Sequence, residues 1–186
     1  MNPIRSLKNS FFELKKLQSM VIIAMLLALR VVLGMFANAT LPIFGNAVKI
    51  SGAFLPIAMA GAMFGPVPGM LVGALGDVLS YIIAPTAGGF FPGFTLTSIV
   101  TGVIFGLMLY KRKPTLLRIF TAEVVYTVIC GILLNSLWLS MLYGNGFIPV
   151  LTARIVKELV MIPVNTLMLA AVLQPVKKLR VEMAEI

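Results

Sequence analysis

Arg154, Lys157, Glu158, Met161 and Asn165 fall at i, i+3, i+4, i+7 and i+11 of a stretch that is otherwise largely apolar. At the pitch of an α-helix they project to within about 60° of Arg154, a single stripe of two cations, a carboxylate, a thioether and an amide. Asn135, Trp138 and Leu142 share a face of the preceding apolar stretch, with Tyr143 at its end, and Phe90, Phe91, Phe94 and Thr95 cluster before another. Cations, amides and flat rings that converge in this way can hold an anion and stack a planar heterocycle. The competing account takes each residue singly: Arg154–Glu158 as an ordinary i,i+4 pair, Trp138 and Tyr143 as an aromatic interface belt. It explains the convergence of two helices less well, and a cavity is the favoured expectation.

Three further ionisable groups interrupt apolar stretches. Such groups inside a bilayer are expensive and usually functional. Arg30 and Asp77 lie at matching depth, so they either pair with each other or Arg30 reaches a ligand. Glu123 lies early in its stretch and is expected to pair with a loop cation near the inner face. Catalysis finds no footing. The chain has no histidine and one cysteine, Cys130. Zinc, haem and imidazole acid–base chemistry therefore lose their usual groups, and no metal or cofactor is expected. No phosphate-binding Gly-x-x-x-x-Gly-Lys-Ser/Thr, His-Glu-x-x-His or Gly-x-Ser-x-Gly motif occurs. The chain is not expected to be an enzyme.

These residues must be positioned by membrane helices. The sequence is 60% hydrophobic and 11% charged, with a mean hydropathy of +1.04, more apolar surface than a soluble domain of this length can hide. Apolar stretches predict six spans in a single integral membrane domain over residues 1–186: about 17–38, 53–65, 68–84, 93–110, 116–143 and 149–172. The second is short for a hydrocarbon core that needs about 20 residues. The turn Gly65-Pro66-Val67-Pro68 makes spans 2 and 3 a hairpin. Eleven of the fifteen basic residues form three clusters: Arg5, Lys8, Lys15 and Lys16; Lys111, Arg112, Lys113 and Arg118; Lys177, Lys178 and Arg180. Basic residues prefer the cytoplasmic side, so all three clusters, and both termini, are expected there in the cell membrane. The net charge of +9 thus belongs to lipid headgroups rather than to nucleic acid. Lys15-Lys16, an apolar run and Ala37-Asn38-Ala39 imitate a cleaved secretory signal, but Arg30 interrupts the run. Small residues recur four apart at Ala24/Ala28, Gly61/Gly65, Gly69/Gly73 and Ser98/Gly102/Gly106. They either pack helices internally or form a docking face.

Three motifs carry a family resemblance: Ala24-Met25-Leu26-Leu27-Ala28; the run Phe64-Gly65-Pro66-Val67-Pro68-Gly69 with Gly76-Asp77; and Phe90-Phe91-Pro92-Gly93-Phe94-Thr95-Leu96. With them the chain resembles the substrate-binding S components of energy-coupling factor vitamin transporters, most closely the folate type. The resemblance implies an all-α membrane protein, a six-transmembrane-helix bundle with a short span 2 and an outward-facing ligand cavity. It implies a subunit that binds its vitamin outside and docks on a membrane scaffold subunit driven by two ATPase subunits. It places the ligand among loop 1, loop 3 and spans 4 to 6. The candidate ligand contacts are then Arg30, Lys49, Phe91, Phe94, Thr95, Asn135, Trp138, Tyr143, Arg154, Lys157 and Glu158. Asp77 is the structural partner of Arg30, and Ala24 and Ala28 face the scaffold. Folate suits such a cavity: its pterin can stack and hydrogen-bond, and its glutamate carries two carboxylates for Lys or Arg. The alternatives are an S component for another nutrient, such as pantothenate or a deazapurine precursor, and an autonomous proton-coupled carrier.

Overall fold

The computed structural model describes residues 3–36, 52–85, 89–144 and 146–184, with side chains described over 6–36, 52–85, 89–144 and 146–175. Every regular element among them is helical: α1 (Pro3–Glu13), α2 (Leu17–Phe36), α3 (Phe54–Phe64), α4 (Pro66–Ile83), α5 (Pro92–Leu109), α6 (Leu116–Tyr126), a π-helical segment (Thr127–Leu134), α7 (Asn135–Tyr143) and α8 (Phe147–Ala184). The α6–π–α7 run is continuous, and counted as one it joins α2, α4, α5 and α8 as five helices long and apolar enough to cross a membrane. The eleven-residue α3 is apolar but shorter. At 1.5 Å per residue it spans about 16 Å, roughly half a hydrocarbon core.

The burial pattern inverts that of a soluble protein. Leu71, Leu75, Leu79 and Ile82 line an exposed face of α4, while Arg30, Glu123, Glu158 and Asn165 are buried. Apolar side chains turned outward toward lipid and polar ones turned inward are what a bilayer selects.

Glycine sets the closest contacts. A Cβ at Gly61 would stand 2.9 Å from the Gly106 nitrogen, and one at Gly69 would stand 2.9 Å from the Gly102 carbonyl oxygen. One at Gly73 would overlap the Ser98 backbone. The small-residue rows of α3, α4 and α5 therefore face one another, and backbones meet where side chains would otherwise separate them. Ala24 and Ala28 differ: both are exposed on α2, beside the exposed Val21, Met25, Leu29 and Val32.

Several boundaries depart from the sequence expectation. The turn between α3 and α4 is one residue, Gly65, at φ 100°, a left-handed conformation that glycine adopts without a Cβ clash. Pro66 already occupies the first turn of α4, where its missing N–H is not needed. Residues 3–13 form a helix of their own that sequence reading missed; Ser10 Oγ accepts from the Val67 N–H at 3.0 Å and ties α1 to that turn. The last span does not stop near Val172. It continues as one helix to Ala184, with Pro163 and Pro175 inside it, so the third basic cluster extends the same rod.

Candidate ligand-binding site

A cavity of about 830 Å³ lies between the helices, within the roughly 300–1,000 Å³ usual for small-molecule sites. Its mouth is formed by Pro85, Gly89 and Phe90 and by Leu142 and Tyr143. It therefore opens at the end of the bundle opposite the Gly65 turn and the Lys111–Lys113 loop. One wall comes from α2 and α4, with Arg30, Gly34, Asp77, Ser80 and Tyr81; α5 adds Phe94, Thr97, Ser98 and Thr101. Across from these stand Asn135 and Leu139 of α7 and Arg154, Lys157, Glu158, Met161 and Asn165 of α8. Phe54 and Tyr126 close the depth of the cavity, stacked with centroids 5.8 Å apart.

The α8 stripe thus faces the cavity as a unit. Arg154 lies 3.8 Å and Lys157 3.9 Å from the Glu158 carboxylate. Arg154 also donates to the Gly131 carbonyl at 3.0 Å. That carbonyl lies in the π-helical segment, where the widened turn displaces backbone groups from the regular α ladder. Gly131 has a second reason to be small, since a Cβ there would sit 3.1 Å from the Glu158 carboxyl carbon.

On the opposite wall Arg30 meets Asp77 at 3.6 Å, and Thr95 donates to the other Asp77 oxygen at 2.7 Å. Asp77 anchors both, while the Arg30 side chain still lines the cavity. Among the described residues three cations and two carboxylates line the space, which leaves one net positive charge. The cavity so described attracts an anion and offers aromatic faces to a flat ring.

Of the ligand contacts expected from sequence, Arg30, Phe91, Phe94, Asn135, Tyr143, Arg154, Lys157 and Glu158 meet around this one cavity. Thr95 does not line it; its hydroxyl serves Asp77. Trp138 stands behind the wall. Its Nε1 donates to Thr97 Oγ1 at 3.0 Å, and its ring lies 5.8 Å from that of Phe91. Lys49 lies outside the described residues. Glu123 is corrected: it is fully buried, its neighbour is Asn165 of α8, and among the described residues it forms no ion pair with a loop cation. Tyr126, Thr97 and Thr101 were missed as lining residues. The i,i+4 spacing of Thr97 and Thr101 in an apolar helix was a readable signal. Tyr126, beside a π-helical segment, gave none.

Fold and cavity together define a multi-pass helical membrane protein built around a polar cavity within the bundle. The chain belongs to the substrate-specific components of ECF transporters: the family model described as "ECF transporter, substrate-specific component" matches residues 18–173. It is similar to proteins named "Folate transporter FolT". The one from Clostridium novyi (strain NT) is 34% identical over 168 residues, covering 90% of this chain and 95% of the relative. The one from Leuconostoc mesenteroides is 34% identical over 152 residues, covering 78% of each. Among solved structures, the "Crystal structure of FolT bound with folic acid" is similar at a TM-score of 0.70 and 30% identity, covering 83% of this chain and 91% of that one. The subunit is a transporter component and not an enzyme.

Proposed function

We propose that this chain captures folate at the outer face of the cell membrane and delivers it inward together with a membrane scaffold subunit and two ATPase subunits. The observation that carries the reading is the cavity itself: aromatic faces from Phe91, Phe94 and Tyr126 for a pterin, and Arg154 and Lys157 nearer the mouth for the two glutamate carboxylates. Similarity to proteins named for folate transport supports the choice over other vitamins. In this reading Arg30, Asn135, Tyr143 and Glu158 complete the site, Lys49 is a further cation for the ligand, and Phe91 is braced from behind by Trp138. The whole chain acts as one membrane domain with six crossings, α3 being a short second one. Both termini lie in the cytoplasm, because the basic clusters lie at the termini and in the loop opposite the mouth. Ala24 and Ala28, on the exposed face of α2, meet the scaffold.

Calorimetry on the detergent-purified chain tests the ligand. Folic acid is expected to bind at one per chain, with thiamine and riboflavin silent. Absence of folic acid binding by a folded protein overturns the ligand, and tight binding of pantothenate in its place selects the other branch of the family.

A further inference from the structure

The geometry points to α1 and the turn after it as a binding surface for anionic lipid: the helix lies in the membrane interface at the end of the bundle opposite the cavity mouth, sets Leu7 and Phe11 among acyl chains and holds headgroup phosphates with Lys8 and Lys15. This surface is separate from the ligand cavity, to which α1 contributes no residue. At eleven residues α1 is too short to cross a bilayer. Its place is fixed by contacts at both ends. Ser10 Oγ accepts from the Val67 N–H at 3.0 Å. A Cβ on Gly65 would meet that same Oγ at 2.6 Å and the Tyr110 ring at 3.3 Å. The helix therefore sits beside the α3–α4 turn and the end of α5, where the Lys111–Lys113 loop begins. Glu13 accepts from Ser19 Oγ at 3.1 Å and from Lys16 Nζ at 3.2 Å, which closes the corner into α2.

The helix buries the wrong face for water. Ser6, Ser10 and Glu13 fall together on the helical wheel, and all three are buried against the bundle. Leu7 and Phe11 fall about 110° round from them, Asn9 about 180° from that apolar pair, and Lys8 about opposite the bundle. Those four are exposed. Phe12 is more than half exposed as well, with the Lys15 ammonium 5.4 Å from its ring centroid. Serines inside and leucine and phenylalanine outside mean that something other than water lies against the apolar face. Lys8 and Asn9, on the free faces, keep the same helix out of hydrocarbon. The interface suits both halves. Charge selects what covers it. Glu13 is the only acid in residues 1–20, and it is turned inward, so the free surface of this corner carries Lys8, Lys15 and Lys16 and no carboxylate. The Lys111–Lys113 loop at the same end marks the level at which the spans leave the hydrocarbon. An anionic lipid offers both partners at that level, a phosphate for the lysines and an acyl chain for Leu7 and Phe11.

Cys130 is buried, so Leu7→Cys, Phe11→Cys and Asn9→Cys can each be spin-labelled in the full chain and reconstituted into vesicles of equal parts phosphatidylcholine and phosphatidylglycerol. Labels at positions 7 and 11 should relax chiefly through dissolved oxygen, which concentrates among acyl chains, and the label at position 9 through a water-soluble nickel chelate. Equal access of the nickel chelate to all three overturns the proposal, for the apolar face then lies in water and awaits a protein partner. Mass spectrometry of the intact detergent-purified chain, offered both lipids equally, reads the headgroup. Phosphatidylglycerol should be retained over phosphatidylcholine. Lys8→Gln/Lys15→Gln should reduce that preference at least about fivefold, the worth of one lysine near an anionic surface, whereas Lys111→Gln/Lys113→Gln, an equal loss of exposed charge at the same end, should change it about twofold or less. No preference in the wild type, or equal losses in the two variants, overturns the site on α1; equal losses would mean that net charge alone attracts the lipid.

Discussion

Removing the Asp77 charge is expected to destabilise the bundle through Arg30 rather than through Asp77 itself. The guanidinium and carboxylate are 3.6 Å apart. At an effective dielectric of about 20 that separation corresponds to about 4.5 kcal/mol of attraction, opposed by the cost of taking both ions from water. Breaking a buried pair by deleting one partner typically costs about 3–5 kcal/mol, because the remaining ion is stranded. Asp77 retains 21% of its side-chain exposure, toward the cavity, whereas Arg30 retains 10%. The stranded cation is the costlier of the two. Asp77→Asn keeps an acceptor for Thr95 and should cost about 2–3 kcal/mol; Arg30→Met, which strands the better-solvated ion, should cost about 1–2 kcal/mol. The double variant should cost about as much as the worse single one, a coupling of about 1–2 kcal/mol. Thermal unfolding of the detergent-purified proteins, followed by fluorescence, gives all four corners of the cycle. Additivity within about 0.5 kcal/mol would show that the two groups do not act as a pair, and Arg30 would then be free to serve the ligand alone.

Three further outcomes follow from the packing and the site. Gly102→Val drives a side chain into the backbone of Gly69 and Met70; with no flexible atom to yield, it should cost more than the usual 1–3 kcal/mol of overpacking, about enough to prevent accumulation in the membrane, as membrane-fraction yield would register. Lys157→Ala should weaken folate binding about 10- to 150-fold by calorimetry, the worth of one hydrogen bond to a charged partner, and should affect a pterin lacking the glutamate tail far less. Ala28→Trp, on the exposed face of α2, should abolish uptake by cells while the purified protein still binds folate; loss of binding as well would place Ala28 inside the bundle.

The sequence made some of this plain and hid the rest for physical reasons. The α8 stripe was legible because helical periodicity brings i, i+3, i+4, i+7 and i+11 onto one face, and all five residues line the cavity. The glycine rows were legible as packing surfaces but not as partners, since spacing within a helix does not say which helix lies opposite. Trp138 looked like a ligand contact because it shares a face with Asn135. Trp138 stands about 60° round α7 from Asn135, at the edge of the face that Asn135, Leu139 and Leu142 turn to the cavity, and its indole instead meets Thr97 and Phe91. Glu123 looked like a residue of the inner face because it stands only a few positions into its span. Its depth depends on how far α6 runs in before α8 meets it, which no local pattern encodes. Helix α1 escaped notice because it is too polar for a span, although its apolar and polar residues alternate at helical spacing.

The two halves of the bundle are held together by different forces. In α3, α4 and α5 the contacts are between backbones: Gly61 against Gly106, Gly69 against Gly102, Gly73 against Ser98. Such contacts admit no rearrangement without large steric cost, and they exclude polar groups, since they leave no room for them. Around the first half of α8 the contacts are polar and longer, with Arg154 on the Gly131 carbonyl and Glu158 shared between Arg154 and Lys157 near 4 Å. The π-helical segment opposite supplies backbone acceptors that a regular helix would have used internally. A cavity between a rigid wall and a wall of exchangeable hydrogen bonds can take up a ligand by changing partners on one side only. Arg154 can give up its hold on Glu158 for an anionic ligand while the glycine-packed helices keep their spacing. That asymmetry places adaptability in α8, where Arg154 and Lys157 are, and in the π-helical segment and α7 beside it, and stability in α3 to α5. Conservative changes to the α8 cations should therefore alter affinity with little effect on folding, whereas any side chain added to the glycine rows should do the reverse.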